Sequence, residues 1–405
     1  MKHIGIITEY NPFHNGHSYQ LHTAKNMFPD KSIIVLMSGN YVQRGEPAIY
    51  NKYLRTKCAL HSGADIVLEL PILFSTASAE YFAHAAIKTF SDLGIIDTLC
   101  FGAETDDLAL LQRIADVLSD EPTAYKVALQ NQLKKGLSFP KARTIALEDI
   151  LGKEISSVLT LPNNILAIEY LKALKTFHSD ITPVLIKRIG NGYHDYSTKE
   201  HYSSATAIRN SILNDSNEYK NLMPKQAYDI LCSSEFAKPL QMSDFYTMLQ
   251  YAIWKEKENL EQYLDVSHDL ANKLRSIKYF PASYEELVQS LISKHYTHTR
   301  IQRICLHILL GITDYDMKKT CNDEYISYIR LLGLRKQASI LLKDVKNSEI
   351  PIINKVADAK KQLSEIQLCA FEKELHQNLL YTQAFANRYN IHLPSEYEHS
   401  VIITD

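Results

Sequence analysis

From the N-terminus onward, short runs apolar on both faces alternate with segments of helical period. That alternation marks parallel strands buried on both sides and joined by crossover helices. The pattern predicts strands at about 3–8, 32–37, 66–70, 97–102 and 183–188, with helices between them at about 16–27, 52–62, 79–92 and 163–175. A further helical stretch, about 107–150, reads as an insertion. Strands connected in this way build a doubly wound parallel sheet, so residues 1–212 are expected to form a Rossmann-like α/β domain. Beyond about residue 210 the β-branched runs give way to helical periodicity, and residues 213–405 are expected to be mainly α-helical. Within that region Ser283 and Glu286 form a capping box. Thr297 caps a helix in which Ile301, Ile304, Ile308 and Leu309 share an apolar face, Arg300, Arg303 and His307 point elsewhere, and Gly311 stops the helix.

Composition narrows the class. A chain of 405 residues with 45% hydrophobic content can bury two or three cores. The cysteines Cys58, Cys100, Cys232, Cys305, Cys321 and Cys369 are scattered without Cys-x-x-Cys spacing, which points away from a disulfide framework and from zinc. No apolar run approaches the ~20 residues of a membrane span, so a cytoplasmic location is expected. The net charge of −2 excludes a protein that coats nucleic acid indiscriminately. One segment is locally basic: Lys294 to Lys346 carries ten Lys/Arg against five acids and could dock a phosphate-bearing partner.

The chemistry-bearing residues fall at strand ends. Thr8-Glu9-Tyr10-Asn11-Pro12-Phe13 closes the first strand, and His14-Asn15-Gly16-His17 opens the first helix, at the sheet edge where doubly wound folds bind ligands. Two histidines three apart on a first helical turn project together, where free N–H groups and the positive dipole end favour phosphate. Gly16 is expected to let a nucleotide lie against backbone. Imidazoles placed there can donate to phosphate oxygens as pyrophosphate leaves. A second group, Ser203-Ser204-Ala205-Thr206-Ala207-Ile208-Arg209, opens another helix, with hydroxyls and a guanidinium for further phosphates.

The pair resembles the HxGH and serine/threonine-rich signatures of the nucleotidyltransferase superfamily that includes the class I aminoacyl-tRNA synthetases. Ala205 departs from that pattern, while Ser204, Thr206 and Arg209 match. The further blocks Met37–Ala48, Ser62–Pro71, Phe101-Gly-Ala-Glu104 and Lys187-Arg-Ile-Gly190 resemble the bacterial tRNA(Met) cytidine acetate ligases over nearly the whole length. The resemblance implies activation of acetate by ATP as acetyl-adenylate, then acetyl transfer to the wobble cytidine of elongator tRNA(Met), giving N4-acetylcytidine. It implies His14 and His17 as the catalytic pair. It places ATP on the loop Ile7, Thr8, Glu9, Tyr10, Asn11, Pro12, Phe13, His14, Gly16 and His17, and on Gly102, Asn163, Arg188 and Ile189, beside Ser204, Thr206 and Arg209. ATP is expected to arrive with Mg²⁺ held by its phosphates, with no zinc and no protein partner.

Other roles stay open on the residues alone. Arg44, on a glycine-bearing loop after the second strand, can meet a carboxylate or a tRNA phosphate. Lys294, Arg300 and Arg303 suit RNA phosphates, or form a solvated helix face. Asp65 and Glu69 could touch Mg²⁺ or orient a histidine, or serve as a strand cap and a salt-bridge partner. An adenylyltransferase acting on a small phosphorylated metabolite would share the histidine motif, and a non-catalytic RNA-binding protein could retain the fold.

Overall fold

The computed structural model describes residues 2–189, 203–322, 325, 328–345 and 350–405; Gly190 and Lys346, both part of the patterns above, lie outside them. In chain order the strands are β1 (His3–Thr8), β2 (Ile33–Ser38), β3 (Tyr41–Val42), β4 (Glu46–Pro47), β5 (Ile66–Leu70), β6 (Ile96–Ala103), β7 (Thr182–Lys187), β8 (Ile329–Arg335), β9 (Ile352–Ile353) and β10 (Ile402–Thr404). β3 and β4 pair as a small antiparallel hairpin. The others form one sheet in the order β10-β8-β5-β2-β1-β6-β7, with β9 on the far end of β8. Side chains alternate between two cores across it: Ile34, Leu36, Ile66 and Leu68 enter one, and Ile4, Ile6, Ile33, Val35 and Val67 enter the other. This two-sided burial is why β1, β2, β5 and β6 read as continuous apolar runs, whereas β7, at the sheet edge, is largely half-buried. Strand order reverses at β1 and β6, which opens a crevice at their carboxyl ends.

The stretch 107–150 folds as three helices, Leu108–Asp120, Thr123–Lys134 and Phe139–Leu151, ahead of the helix Pro162–Thr176 that leads into β7. The second half is mainly helical, yet the sheet does not end with the first half. β8 runs antiparallel on β5, and β10 lies parallel on β8, so the sheet draws strands from both halves. The other expectation corrected there concerns the helix His298–Leu310, which is buried nearly all round. His307 is fully buried, its ring nitrogens 3.3 and 3.0 Å from the carbonyls of Leu264 and Thr76.

Charge is buried where the halves meet. Lys52 is inaccessible and lies 2.8 Å from Glu69 and 3.2 Å from Glu396. Arg330 on β8 pairs with Glu396 and donates to the Tyr53 hydroxyl at 2.8 Å, which in turn donates to Glu396 at 2.8 Å. Two cations and two carboxylates thus balance within the interior. Removing any one of them leaves an uncompensated charge, a change that costs about 3–5 kcal/mol in buried pairs. Glu69 is therefore a structural ion partner. Asp65 is a strand cap, accepting from Ile33 N–H at 2.8 Å.

Beside this network, burial and the neighbouring Glu69 push the Glu374 carboxyl up to about 7, while it accepts from the Tyr328 hydroxyl at 2.6 Å and from the Ile72 N–H. An unfolded glutamate titrates near ~4.3, so the native state holds this proton more tightly. The contribution is full below that value and is lost as pH rises to about 7. Urea unfolding between pH ~4.5 and 7.5 should therefore show stability falling with pH by roughly 2–3 kcal/mol from this group, and Glu374→Gln should flatten the fall. An equal slope in the variant would contradict the assignment.

Candidate active site

A cleft of about 580 Å³ opens at the carboxyl ends of β1, β6 and β7. Ile7, Thr8, Glu9, Tyr10, Asn11, His14, Gly16 and His17 line it from one side, and Gly102, Asn163, Arg188, Ile189, Ser204, Thr206 and Arg209 from the others. The topology thus gathers residues some 200 positions apart into one space. Pro12 and Phe13 are turned instead into the core, where the Phe13 ring packs 4.8 Å from Tyr10 and 5.7 Å from His17.

The histidines are arranged by the helix they open. His14 is the N-cap of the helix Asn15–Met27, and its Nδ1 accepts from the Gly16 N–H at 3.0 Å. His17, in the third helical position, accepts on Nδ1 from the His14 N–H at 3.3 Å. The result is a capping box built from imidazoles, with the two rings stacked at 3.7 Å. Both Nδ1 atoms are acceptors, so in the neutral ring the proton of each histidine sits on Nε2. Burial, with Arg188 and Arg209 nearby, lowers His14 to about 3. Burial, His14 and Arg188 hold His17 well below the ordinary value. At neutral pH the pair is uncharged and presents two N–H donors.

Gly16 has a reason the sequence did not disclose. A Cβ there would meet the His14 ring at 2.9 Å, so glycine is what allows that ring to fold back onto its own helix.

Across the cleft Ser204 caps the helix Ala205–Leu213, accepting from Ala207 N–H at 3.1 Å. Arg209 reaches back to the carbonyl of Asn11 at 2.9 Å and to the Thr206 hydroxyl at 3.3 Å, fixing this helix against the loop after β1. Gly102 does not lie open: the Arg188 side chain crosses it, 3.3 Å from where a Cβ would stand. Glu104 and Asn164 lock the next wall reciprocally. Glu104 accepts from the Asn164 N–H at 2.9 Å and from the Asn163 amide at 2.6 Å, and Asn164 accepts from the Glu104 N–H at 2.9 Å. Asn163 is therefore positioned by its neighbour's carboxylate, one step inside the helix that begins at Pro162.

Arg44 stands in this cleft and not on a separate surface. It lies among Glu9, Glu46 and Arg209, and burial lowers its pKa against the pull of those carboxylates. Its hairpin is held by Gly45, which has φ +79° and so close an approach to the backbone of Arg303 that a Cβ would stand 2.3 Å away. Gln302 adds a bond to Glu46 at 3.0 Å. Lys294, Arg300 and Arg303 lie away from the cleft. Lys294 is exposed and donates to the Gly136 carbonyl at 2.6 Å. The Arg300 guanidinium lies 5.0 Å over the Tyr296 ring. Arg303 is half-buried, and its Nε has no partner among the described residues, so it is not the fully exposed cation its position in the motif implied. Residues that line or brace the cleft without having been singled out are Gln43, Arg55, Phe82, Glu104, Asn164 and Tyr170. Of these Gln43 and Glu104 had a signal, as parts of the Met37–Ala48 and Phe101-Gly-Ala-Glu blocks.

Comparison with known proteins places the sequence and the fold in one family. The HIGH Nucleotidyl Transferase family matches residues 1–397. A protein of Acetivibrio thermocellus named tRNA(Met) cytidine acetate ligase is 39% identical over 415 residues, covering 100% of both chains. One of the same name from a Thermoanaerobacter species is 41% identical over 389 residues, covering 95% of this chain and 96% of its own. The crystal structure of Thermotoga maritima TmcAL bound with alpha-thio ATP superposes with a TM-score of 0.91 at 29% identity, covering 100% of each chain; the apo form gives 0.89 at 30%.

Nitrogen-detected NMR of the ligand-free protein should show both imidazoles as Nε2–H tautomers that stay neutral down to pH about 5, given burial and the neighbouring cations. Titration of either ring with a midpoint near 6.5 would overturn the geometry described.

Proposed function

We propose, for a chain that belongs to the tRNA(Met) cytidine acetate ligase family, that both halves of the family's reaction proceed in the cleft at β1, β6 and β7. The protein is an ATP-dependent ligase that joins acetate to a tRNA cytidine. In the first step a carboxylate oxygen of acetate attacks the α-phosphorus, the bond to the bridging oxygen breaks, and pyrophosphate leaves with the electron pair. In the second the exocyclic amine of the wobble cytidine of elongator tRNA(Met) attacks the acetyl carbonyl of the acetyl-adenylate. AMP departs, the amine loses a proton, and N4-acetylcytidine results.

The observation that carries the first step is the stacked histidine pair at a helix N-terminus, protonated on Nε2 and uncharged. Fixed neutral donors stabilise charge as it develops on phosphate oxygens and need no reorientation at that moment. Thr206 and Arg209, pinned to the loop after β1, hold the departing phosphates. Asn163, Arg188 and Ile189 border the nucleoside end. Among the described residues no group of three or more His, Cys, Asp or Glu side chains could hold a metal ion. Mg²⁺ would come with ATP, held by its phosphate oxygens, and would neutralise part of their charge. No helix among the described residues is long and apolar enough to cross a membrane, and we place the enzyme in the cytoplasm with its tRNA.

For the tRNA, Lys294 and Arg300 are the cations we assign to phosphate contact. Arg303 serves the packing between the hairpin and the helix His298–Leu310, and Arg44 serves the cleft.

Incubation with ATP, isotopically labelled acetate and tRNA should yield labelled N4-acetylcytidine by nucleoside mass spectrometry, with one AMP and one pyrophosphate per acetyl group. His14→Ala and His17→Ala should each slow AMP formation by ~10²–10³-fold with circular dichroism unchanged. Near-normal turnover in both would sink the catalytic assignment. Replacing Lys294 and Arg300 with Ala should weaken tRNA binding and flatten its salt dependence, lowering the slope of log affinity against log salt by roughly 0.7–0.9 per lost contact. An unchanged slope would remove these residues from the interface.

A further inference from the structure

The cleft contains a second chemical environment that the phosphate cradle does not use. On the side of β1 opposite His14 and His17, three aromatic side chains form one wall. Phe82 comes from the first turn of the helix Ala79–Leu93, Tyr170 from the helix Pro162–Thr176, and Phe101 from β6. Each is at most 3% exposed, and the rings of Phe101 and Tyr170 lie 5.9 Å apart. All belong to the same packed core, so the wall is rigid. The Tyr170 hydroxyl makes no hydrogen bond to any described residue, although its side chain is almost wholly enclosed and borders the cleft. That hydroxyl faces the cleft, where a ligand oxygen could pair with it.

The same cleft is lined by a cation, Arg44. Arg44 lies beside Glu9, and Glu9 is also within electrostatic reach of Tyr170. Glu9 is itself restrained, accepting from the Gln43 N–H at 2.9 Å, and Arg44 lies close enough to balance its charge. A guanidinium, a phenol hydroxyl open to the cleft and an aromatic wall in one space are together the complement of a short carboxylate with a small apolar tail.

We propose that Arg44, Tyr170 and the wall of Phe82 and Phe101 form the acid subsite, and that Phe82 and Tyr170 set the length of acid accepted. This rests on the ligase reading above and specifies its acid substrate. In-line displacement puts the attacking carboxylate on the face of the α-phosphorus opposite the leaving pyrophosphate. With pyrophosphate held at His14, His17, Thr206 and Arg209, the proposal puts the aromatic wall on that face and Arg44, which neighbours Arg209, at its edge. The carboxylate oxygen that attacks becomes the acyl-phosphate oxygen, Arg44 and the Tyr170 hydroxyl bind the other, and the methyl group meets Phe82 and Phe101. In an open pocket each added methylene strengthens binding, so a fixed wall is what turns that preference around in favour of acetate.

The test compares acetate, propionate and butyrate as substrates for AMP formation by the full-length enzyme with ATP and tRNA, in wild type, Phe82→Leu and Tyr170→Phe. A methylene typically shifts such discrimination by roughly 10–200-fold. Phe82→Leu should raise the propionate-to-acetate ratio of kcat/KM by about tenfold or more. Tyr170→Phe, which preserves the packed ring, should raise the KM for acetate several-fold with the KM for ATP unchanged. An unmoved ratio in Phe82→Leu together with an unmoved acetate KM in Tyr170→Phe would overturn the subsite. A rise in the ATP KM alone would also overturn it, by placing nucleotide against the wall. Wild-type enzyme that forms no AMP with acetate would instead defeat the ligase reading itself, so the two failures are distinguishable.

Discussion

The active cleft depends on one buried guanidinium. Arg55 is 1% exposed, and it donates to the carbonyls of Glu9 and Gly39, to that of Ser38 at 3.1 Å and to that of Tyr50 at 3.0 Å. These four carbonyls belong to the loop after β1, the end of β2, the turn that follows it and the approach to the helix Lys52–His61. No backbone ladder joins those segments at that point, so a side chain with five donors in a fixed fork does so instead. Burial pushes its pKa down to about 10, which still leaves it charged at neutral pH and makes the carbonyls its only solvent. The position of Glu9, and through Gln43 the start of the hairpin that bears Arg44, follows from this bond set.

Around that anchor the helix Asn15–Met27 satisfies its own first turn with the residues that do the chemistry. In most helices an N-cap hydroxyl or carboxylate takes up the free N–H groups. Here imidazoles do so, and the use of Nδ1 for capping leaves Nε2–H for phosphate. Structural and chemical roles are thus divided between the two nitrogens of each ring. Low pKa values follow from the same burial that excludes water, and they keep the pair from repelling each other across 3.7 Å. Gly16 and the stacking of the rings then become requirements of one arrangement.

What could be read from the sequence was local. The doubly apolar runs at 3–8 and 66–70 and the histidine turn at 14–17 carry their own signals, because both sheet faces are buried and the cap is made within four residues. β8 was missed for a physical reason. Ile329-Arg-Leu-Leu-Gly-Leu-Arg has no period-2 contrast, and its place in the sheet is decided by partners on β5 and by the ion network of Arg330 with Glu396. Arg55, Glu104 and Asn164 act through bonds to main chain from 5 to 60 residues away, which no spacing announces. Arg303 looked like an RNA-facing cation because helical periodicity registers one apolar stripe, while the hairpin at Gly45 covers the polar side as well. Arg44 gave the opposite lesson: a loop arginine open to either reading is drawn into the cleft by Glu9 and Glu46.

The central claim is that this cleft directs an acid oxygen onto the α-phosphorus of ATP. Acetate labelled with ¹⁸O in its carboxylate tests it most directly, with the AMP and pyrophosphate of a tRNA-acetylating reaction analysed by mass spectrometry. Attack at the α-phosphorus followed by acetyl transfer leaves one labelled oxygen in AMP and none in pyrophosphate. Label in pyrophosphate, or AMP that takes its new oxygen from solvent water, would contradict the account.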